Sequence, residues 1–385
     1  MKTIRIGLLG YGAMGKTHTY AVNNLPFYYN DLPFRAEMSA LCTAHPEKAE
    51  RLAASFGIPH VYRTEDDLIA DPTIDAIDIC TPNIFHYESI VKALAAGKHV
   101  YCEKPLCVTY AQAKEVAELA QKSGLVTQTV FNNRFLAPIM RAKQLMEEGA
   151  IGRVISFRGA YLHTSGMDPA RPAGWKQNRD VCGGGVLFDL GSHVIDLIYY
   201  LCGEFEAVTG ASQIAFPERT GMDGQPWQTN AEEAFYMLAK LRSGAMGTVE
   251  VSKVASGAND DLTIEIRGEK GALRFDLMDP NFLWFYDATR KGGELGGESG
   301  YQRIECVGHY PPPGGQFPGK RAPVGWLRGH VGSMYNFLNC IYQGKGACPD
   351  FFDAAHVQWV MEKAYQSDAK KSEFSRWHRL APEEK

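Results

Sequence analysis

The chain of 385 residues has no CxxC pair. Its nine cysteines (Cys42, Cys80, Cys102, Cys107, Cys182, Cys202, Cys306, Cys340 and Cys348) are scattered, mostly among apolar neighbours. That pattern excludes a disulfide framework and a thiolate zinc cluster, and points to free, mostly buried thiols in a reducing cytoplasm. No apolar run approaches the ~20 residues of a membrane span. The first such run, Ile4 to Leu9, enters a glycine turn directly, so it reads as a strand and not as a secretory leader. Basic residues form no band, and the formal net charge of −4 recruits neither nucleic acid nor an anionic membrane. No internal repeat at a period of about 20–50 residues is present.

The chain does have enough apolar residues, 45% of the total against 22% charged, to bury a large core, most simply in two domains. Its first third alternates short apolar runs with helical ones. Strands are expected at Ile4–Leu9, Met38–Thr43, Ala76–Cys80, His99–Cys102 and Val126–Phe131. Helices are expected from Gly15 and at Pro46–Phe56, Phe85–Ala96 and Tyr110–Gln121, with Gly57, Gly97 and Gly124 as stops. Short apolar strands separated by helices imply a parallel sheet covered on both faces. Asn23–Phe34, with its two prolines, interrupts the rhythm and reads as a loop or a broken helix extension that covers the site or meets another subunit.

After about Gly149 the pattern becomes strand-rich: Val154–Tyr161, Phe205–Ile214, Ala231–Lys240, Met246–Ser252, Leu262–Arg267 and Ala272–Asp276. A mostly antiparallel, open sheet is expected, with helices at Leu187–Leu201, Gly329–Tyr342 and Phe352–Gln366. The glycine-rich stretch Gly292–Gly315 reads as a surface excursion.

The strongest local signal is Gly10–Tyr11–Gly12–Ala13–Met14–Gly15, placed between the first strand and the first helix. Gly10 permits a tight turn, Gly12 lets backbone approach a pyrophosphate, and Gly15 allows close helix–strand contact. The helix that follows aims its unpaired N–H groups at the anion. A dinucleotide site is therefore expected, lined by Gly10, Gly12, Ala13, Met14 and Gly15. The second strand would ordinarily end in an acid for the ribose hydroxyls of NAD, but here it ends Leu41–Cys42–Thr43–Ala44–His45. Thr43 and His45 can instead meet a 2′-phosphate, with Lys48 approaching from the next helix. No arginine grips such a phosphate, and Glu47 is close, so NAD and NADP both stay open. Thr81, Pro82, Asn83 and His86 are placed to line the dinucleotide further along.

Glu103, Lys104 and Pro105 end another strand, where ligands of open α/β sheets collect. Lys104 can donate to a substrate oxygen, and Glu103 can contact the nicotinamide ribose. Pro105 is a candidate for a cis peptide bond. Asp189 and His193, four apart on an expected helix, share a face. His193 is the candidate general base; Asp189 can orient the substrate and His193 or stabilise the charged imidazole, and Asp196 stands one turn further on. Tyr161, His163, Trp175, Lys176 and Arg179 suit a hydroxyl-rich substrate, as does Arg134; Asn132 is placed toward the coenzyme. Trp326 and His330 are weaker candidates, since the sequence does not show how near they lie. The spacing of Asp189 and His193, even with Cys182 and His163 recruited, matches no zinc motif, so no metal is expected.

These motifs, in the order GYGAMG, AGKHVYCEKPL and GGGVLFDLGSHVIDLIYYL, resemble the Gfo/Idh/MocA oxidoreductase family over nearly the whole chain. The resemblance implies an α/β fold: a Rossmann dinucleotide-binding domain over residues 1–133, then an α/β domain over residues 134–385 whose large, mostly antiparallel open sheet serves substrate binding and oligomerisation, with late helices free to pack back on the first domain. It implies a homodimer or homotetramer through that sheet. Lys104, Asp189 and His193 match the family's catalytic lysine, aspartate and histidine. The segment HTSGMDPARPAGWKQNRDVCGGG is most similar to that of sugar and cyclitol dehydrogenases. The expected activity is hydride transfer between a small polyhydroxylated alcohol and NAD or NADP. Redox-assisted glycoside cleavage and a non-catalytic dinucleotide sensor are the alternatives.

Overall fold

A computed structural model describes residues 1–308, 310–314, 317, 322–323 and 325–370. Its first layer runs β1 (Lys2–Leu9), α1 (Ala13–Tyr28), β2 (Phe34–Cys42), α2 (Pro46–Phe56), β3 (His60–Tyr62), α3 (Glu65–Ala70), β4 (Ala76–Ile79), α4 (His86–Ala95), β5 (His99–Cys102), α5 (Tyr110–Ser123) and β6 (Thr127–Thr129). The strands form one parallel sheet in the order β3-β2-β1-β4-β5-β6. The reversal of strand order beside β1 opens a crevice at the strand ends, where the Gly10–Gly15 turn, Thr81 and Lys104 all emerge.

The apolar runs are continuous because both faces of the sheet are covered. Ile4, Ile6, Leu8, Phe34 and Leu41 pack with Val22 and Leu25 of α1. Leu9, Ile77, Ile79 and Val100 pack on the other side with Ile90, Ala113 and Val116. Local signals set the helix ends. Pro46 opens α2 and Gly57 closes it at φ +68°; the Thr109 side chain accepts the Gln112 N–H at the start of α5. Of the two readings of Asn23–Phe34, a helix extension is present up to Tyr28. Helix α1 continues through Pro26 to Tyr28, because Leu25 is buried and Tyr29 stacks on Tyr335 at 3.9 Å. So near the helix end, Pro26 removes only a single N–H from the ladder.

The chain continues through α6 (Ala137–Glu147), β7 (Val154–Leu162), α7 (Arg179–Cys182), α8 (Ser192–Cys202), β8 (Phe205–Gln213), β9 (Glu218–Thr220), β10 (Pro226–Gln228), β11 (Ala234–Leu241), β12 (Met246–Ser252), β13 (Asp261–Gly268), β14 (Gly271–Asp276), β15 (Phe282–Asp287) and β16 (Tyr301–Glu305). Eight of these strands form the second sheet, in the order β16-β15-β14-β13-β7-β12-β11-β8. Only the β7–β12 neighbours run parallel. Helix α8 lies on its inner face, so close that a Cβ on Gly159 would fall 2.3 Å from Val194. Ile155, Tyr236, Leu238 and Met246 stay exposed. The supposed excursion after Gly292 is corrected in part, since Tyr301–Glu305 pairs with β15 as an edge strand.

The expected helix Leu187–Leu201 is present, but its first turn is wound differently. A π turn over Leu187–Gly191 precedes α8. Arg179–Cys202 is the one stretch among the described residues apolar enough, by length and composition, to cross a membrane, which the sequence alone did not single out. Most of it is buried in the protein core, and that burial accounts for its composition. The last two helices, α9 (Leu327–Gln343) and α10 (Phe351–Ala369), pack back across the molecule. Helix α9 lies on α1 and the first sheet, and α10 lies against α5, α8 and β8.

Candidate active site

The glycine turn separates into two kinds of glycine. Gly10 has φ +89°, and a Cβ there would sit 2.7 Å from the Cys80 carbonyl oxygen; a Cβ on Gly15 would sit 2.6 Å from that of Gly10. Both are required by the protein's own packing. Gly12 has φ −83°, open to any residue, and a Cβ on it meets nothing within 4 Å. Its bareness leaves room for a ligand to approach the main chain there. Helix α1 begins at the next residue with no side chain capping it, so its first N–H groups face the same space. Beside it the buried hydroxyl of Thr81 lacks a hydrogen-bond partner among the described residues. A dinucleotide would fit this cradle, with Gly12 and the α1 terminus to hold a diphosphate and Glu103 in the lining of the adjoining cavity. Gly12→Ala is therefore expected to leave the melting temperature unchanged and to weaken NADH binding. Equal NADH affinity, read by fluorescence titration, would contradict the assignment.

At the adenosine end the Thr43 hydroxyl is engaged locally. It accepts the His45 N–H at 3.0 Å and donates to the His45 carbonyl at 3.3 Å, closing the turn into α2. His45 and Lys48 are exposed, and no carboxylate ends the strand. Asn83 donates to the Cys182 carbonyl at 2.8 Å and so ties the first sheet to the loop Gly183–Gly185. The reading of His86 as a coenzyme contact is corrected. It is fully buried, with Nδ1 3.0 Å from the Pro105 carbonyl and Nε2 2.9 Å from the Thr81 carbonyl, and it latches the two strand ends together.

Lys104 leaves β5 next to a cis peptide bond to Pro105. Its ammonium donates to the Asp189 main-chain oxygen at 2.6 Å and to Oδ1 at 3.2 Å. Lys176 donates to both carboxylate oxygens of Asp189, at 2.9 and 3.0 Å, and Lys253 pairs with Oδ2 at 3.1 Å. Three ammonium groups thus share one carboxylate. Burial alone would raise the Asp189 carboxyl, but Lys253, Lys104 and Lys176 together hold it well below its ordinary range. Burial pushes Lys104 down, with Lys176 adding to the effect and Asp189 opposing it.

His193, in the first turn of α8, makes no hydrogen bond to Asp189. Its Nδ1 has no partner among the described residues, and its ring is packed edge-on against Phe131 and Tyr161. Burial, then Lys104, push its pKa well below the ordinary imidazole value. The expectation that Asp189 orients His193 is therefore corrected. The carboxylate holds lysines, and packing holds the imidazole.

These groups wall a cavity of ≈ 550 Å³ lined also by Met14, Thr81, Asn132, Trp175, Trp326 and His330. On its far side Asp260 accepts from the Tyr161 hydroxyl at 2.5 Å and lies 3.0 Å from His163 Nε2. Trp175 is 40% exposed and presents its ring at the mouth.

Two substrate candidates fall elsewhere. Arg134 is 4% exposed and bound by Asp196 at 2.6 Å and Asp353 at 3.0 Å, so it and Asp196 are structural. Arg179 points outward over the Tyr365 ring, 4.9 Å from its centroid. Lys253 and Asp260 were not foreseen at all, and neither stands in a recognisable motif.

One acid–imidazole–thiol cluster lies below the cavity. His18 Nδ1 is 2.9 and 3.0 Å from the Asp78 oxygens and 3.1 Å from Cys80 Sγ, and its Nε2 is 3.1 Å from Glu103 Oε1. The first three separations are shorter than the ~3.3 Å between donors of a tetrahedral zinc ion. Burial would discharge His18, but Asp78 and then Cys80 hold it well above its usual pKa. It is a buried imidazolium between two acids, and it steadies Glu103.

Comparison with known proteins agrees with this arrangement. Residues 4–131 match the oxidoreductase family with an NAD-binding Rossmann fold, and residues 139–274 match the GFO/IDH/MocA C-terminal domain. The levoglucosan dehydrogenase of Pseudarthrobacter phenanthrenivorans is 30% identical over 97% of this chain and 98% of its own. The myo-inositol 2-dehydrogenase of Thermotoga maritima is 28% identical over 71% of this chain and 75% of its own. A solved levoglucosan dehydrogenase in complex with NADH and levoglucosan superposes with a TM-score of 0.90 at 31% identity, covering 96% of this chain and 98% of that one.

Proposed function

Since this chain belongs to the Gfo/Idh/MocA family of oxidoreductases, we propose that it is an NAD(P)-dependent dehydrogenase acting on a secondary alcohol of a sugar, anhydrosugar or cyclitol. The observation that carries this reading is the uncharged His193, its Nδ1 without a partner among the described residues, in one cavity with Lys104 and with Met14 of the glycine turn. When bound, the nicotinamide takes up the hydride. Lys104 donates a hydrogen bond to the substrate hydroxyl oxygen and favours its partly negative form. His193 accepts the hydroxyl proton, the C–H bond breaks with its electron pair, and a C=O bond forms; reduction runs through the same groups in reverse. Asp189 keeps three ammonium groups in register and is not itself a base. Around the ring, Trp175 offers a stacking face, and His163, Lys176, Lys253 and the Asp260–Tyr161 pair offer donors and acceptors. Relatives named for levoglucosan, myo-inositol and D-glucosides support a polyol substrate.

For the coenzyme, NADH complexes of similar structures favour NAD. The strand end at Thr43–Ala44–His45 has neither an acid to repel a 2′-phosphate nor an arginine to grip it. Weak discrimination between NAD⁺ and NADP⁺ is the consequence. The exposed apolar side chains Ile155, Tyr236, Leu238 and Met246 support a homodimer or homotetramer through the second sheet, and nine free cysteines support a cytoplasmic setting.

The direct test is absorbance at 340 nm with each of NAD⁺ and NADP⁺ against levoglucosan, inositols and glucosides. A rise with one polyol class identifies the substrate. Release of an aglycone without net reduction points to glycoside cleavage instead. Coenzyme binding with no turnover on any polyol, in either direction, would leave a sensor.

The lysines also set the pH range. His193 works only when neutral, so activity is present above its pKa and lost as pH falls through it. Because that pKa is depressed, the acid limb of kcat/KM should lie below the ordinary ~6.5. Lys176 is one of the charges depressing it. Lys176→Met should therefore move the limb upward, by less than removal of a buried charge would, since the ammonium is half-exposed and screened by solvent. A limb that stays put or moves down removes Lys176 from this role.

A further inference from the structure

We propose that His330 binds the nicotinamide end of the coenzyme, the lone pair of one ring nitrogen accepting the carboxamide N–H. This rests on the coenzyme reading above. His330 is 2% exposed, lines the cavity, and has no hydrogen-bond partner at either ring nitrogen among the described residues. A buried imidazole with both nitrogens unsatisfied is costly, so a partner arriving with a ligand is the economical arrangement. The mechanism gives His330 no other task.

Its position selects the ligand. A dinucleotide anchored at Gly12 must bring its reacting ring to Lys104 and His193, and that path passes Glu103. His330 stands beside the path. Its ring centroid is 6.1 Å from that of His18, which holds Glu103, and it feels the charges of His18, Glu103 and Lys104. Trp326 packs on the imidazole at 4.3 Å. The helix already lies close to the cavity wall, because a Cβ on the neighbouring Gly329 would fall 2.8 Å from the Asn132 carbonyl. Burial, then the charge on His18, keep the ring neutral, with its pKa lowered to about 3. A neutral imidazole keeps a lone-pair nitrogen, an acceptor for one N–H of a primary carboxamide.

The test uses His330→Leu, which removes both polar atoms, and His330→Gln, which keeps a donor and an acceptor. NADH affinity is read by fluorescence titration and ADP-ribose affinity by calorimetry. His330→Leu should weaken NADH about ten-fold and leave ADP-ribose, which has no nicotinamide, unchanged. His330→Gln should recover most of the loss. The unsubstituted protein should also bind reduced 3-acetylpyridine adenine dinucleotide, which lacks the amide N–H, more weakly than NADH. That comparison needs no variant and stands even where one fails to fold. Unchanged NADH affinity in His330→Leu, equal weakening of NADH and ADP-ribose, or a change confined to the substrate KM would each overturn the proposal. Failure of the unsubstituted protein to bind NADH would overturn the coenzyme reading itself, and this proposal with it.

Discussion

Replacing His193 with Asn should lower kcat by about 10²–10⁴-fold while NADH binds as before. The two halves of that expectation come from different observations. Loss of turnover follows because the His193 imidazole is held uncharged, with its Nδ1 unpartnered among the described residues, in the same cavity as Lys104. Asp189 is committed to three lysines, and Lys104 is a donor. Retained binding follows because the diphosphate cradle is main chain at Gly12 and α1, remote in sequence and in element from α8. Asn keeps a polar atom near the site but takes up no proton. Single-turnover absorbance at 340 nm separates the two effects. Near-normal turnover would remove His193 as the base, and a large rise in NADH Kd would mean that the substitution disturbs the cleft instead of the chemistry.

The second large effect is on stability. Arg134→Met should cost about 3–5 kcal/mol, because it strands two acids in the interior. Asp196 is 1% exposed, and its oxygens take two guanidinium nitrogens at 2.6–3.1 Å; Asp353 takes a third. Removing the cation leaves Asp196 buried and uncompensated, which is far worse than the loss of an exposed pair. Arg134→Met with Asp196→Leu should regain part of the loss. Urea denaturation measures both. If Arg134 were instead a substrate contact, the single variant would melt normally and show a raised KM.

That contrast shows where a sequence stops being informative. Gly10–Gly15, Glu103–Pro105 and Asp189–His193 are legible because their chemistry is local: a turn, a strand end, one helical repeat. Asn132 and Arg134 look alike on that basis, two residues apart after the same strand. Asn132 lines the cavity, while Arg134 turns into the core to meet an acid 62 positions away. Lys253 and Asp260 were invisible for a related reason. They flank the ends of β12 and β13, and sheet register alone sets both beside His163 at the end of β7 (Ser252 and Asp261 each pair with Leu162). Edge strand β16 hid in glycine-rich sequence because only one side of it needs a partner, and most of its residues are exposed. Trp326 and His330 reach the cavity only through the return of α9.

The return of α9 also bears on how the molecule is made. Val331, Met334, Phe337 and Leu338 belong to the same core as Ile4, Ile6 and Phe34, and Ser333 meets both the Tyr101 hydroxyl and Gln128. In chain order, then, the second sheet is an insertion between two parts of the first unit. A nascent chain that has emerged from the ribosome as far as β6 holds every strand of the coenzyme sheet but lacks the helix that roofs one face. The earliest layer to be synthesised is among the last to be sealed, and close to two hundred residues of intervening chain must fold while that face waits.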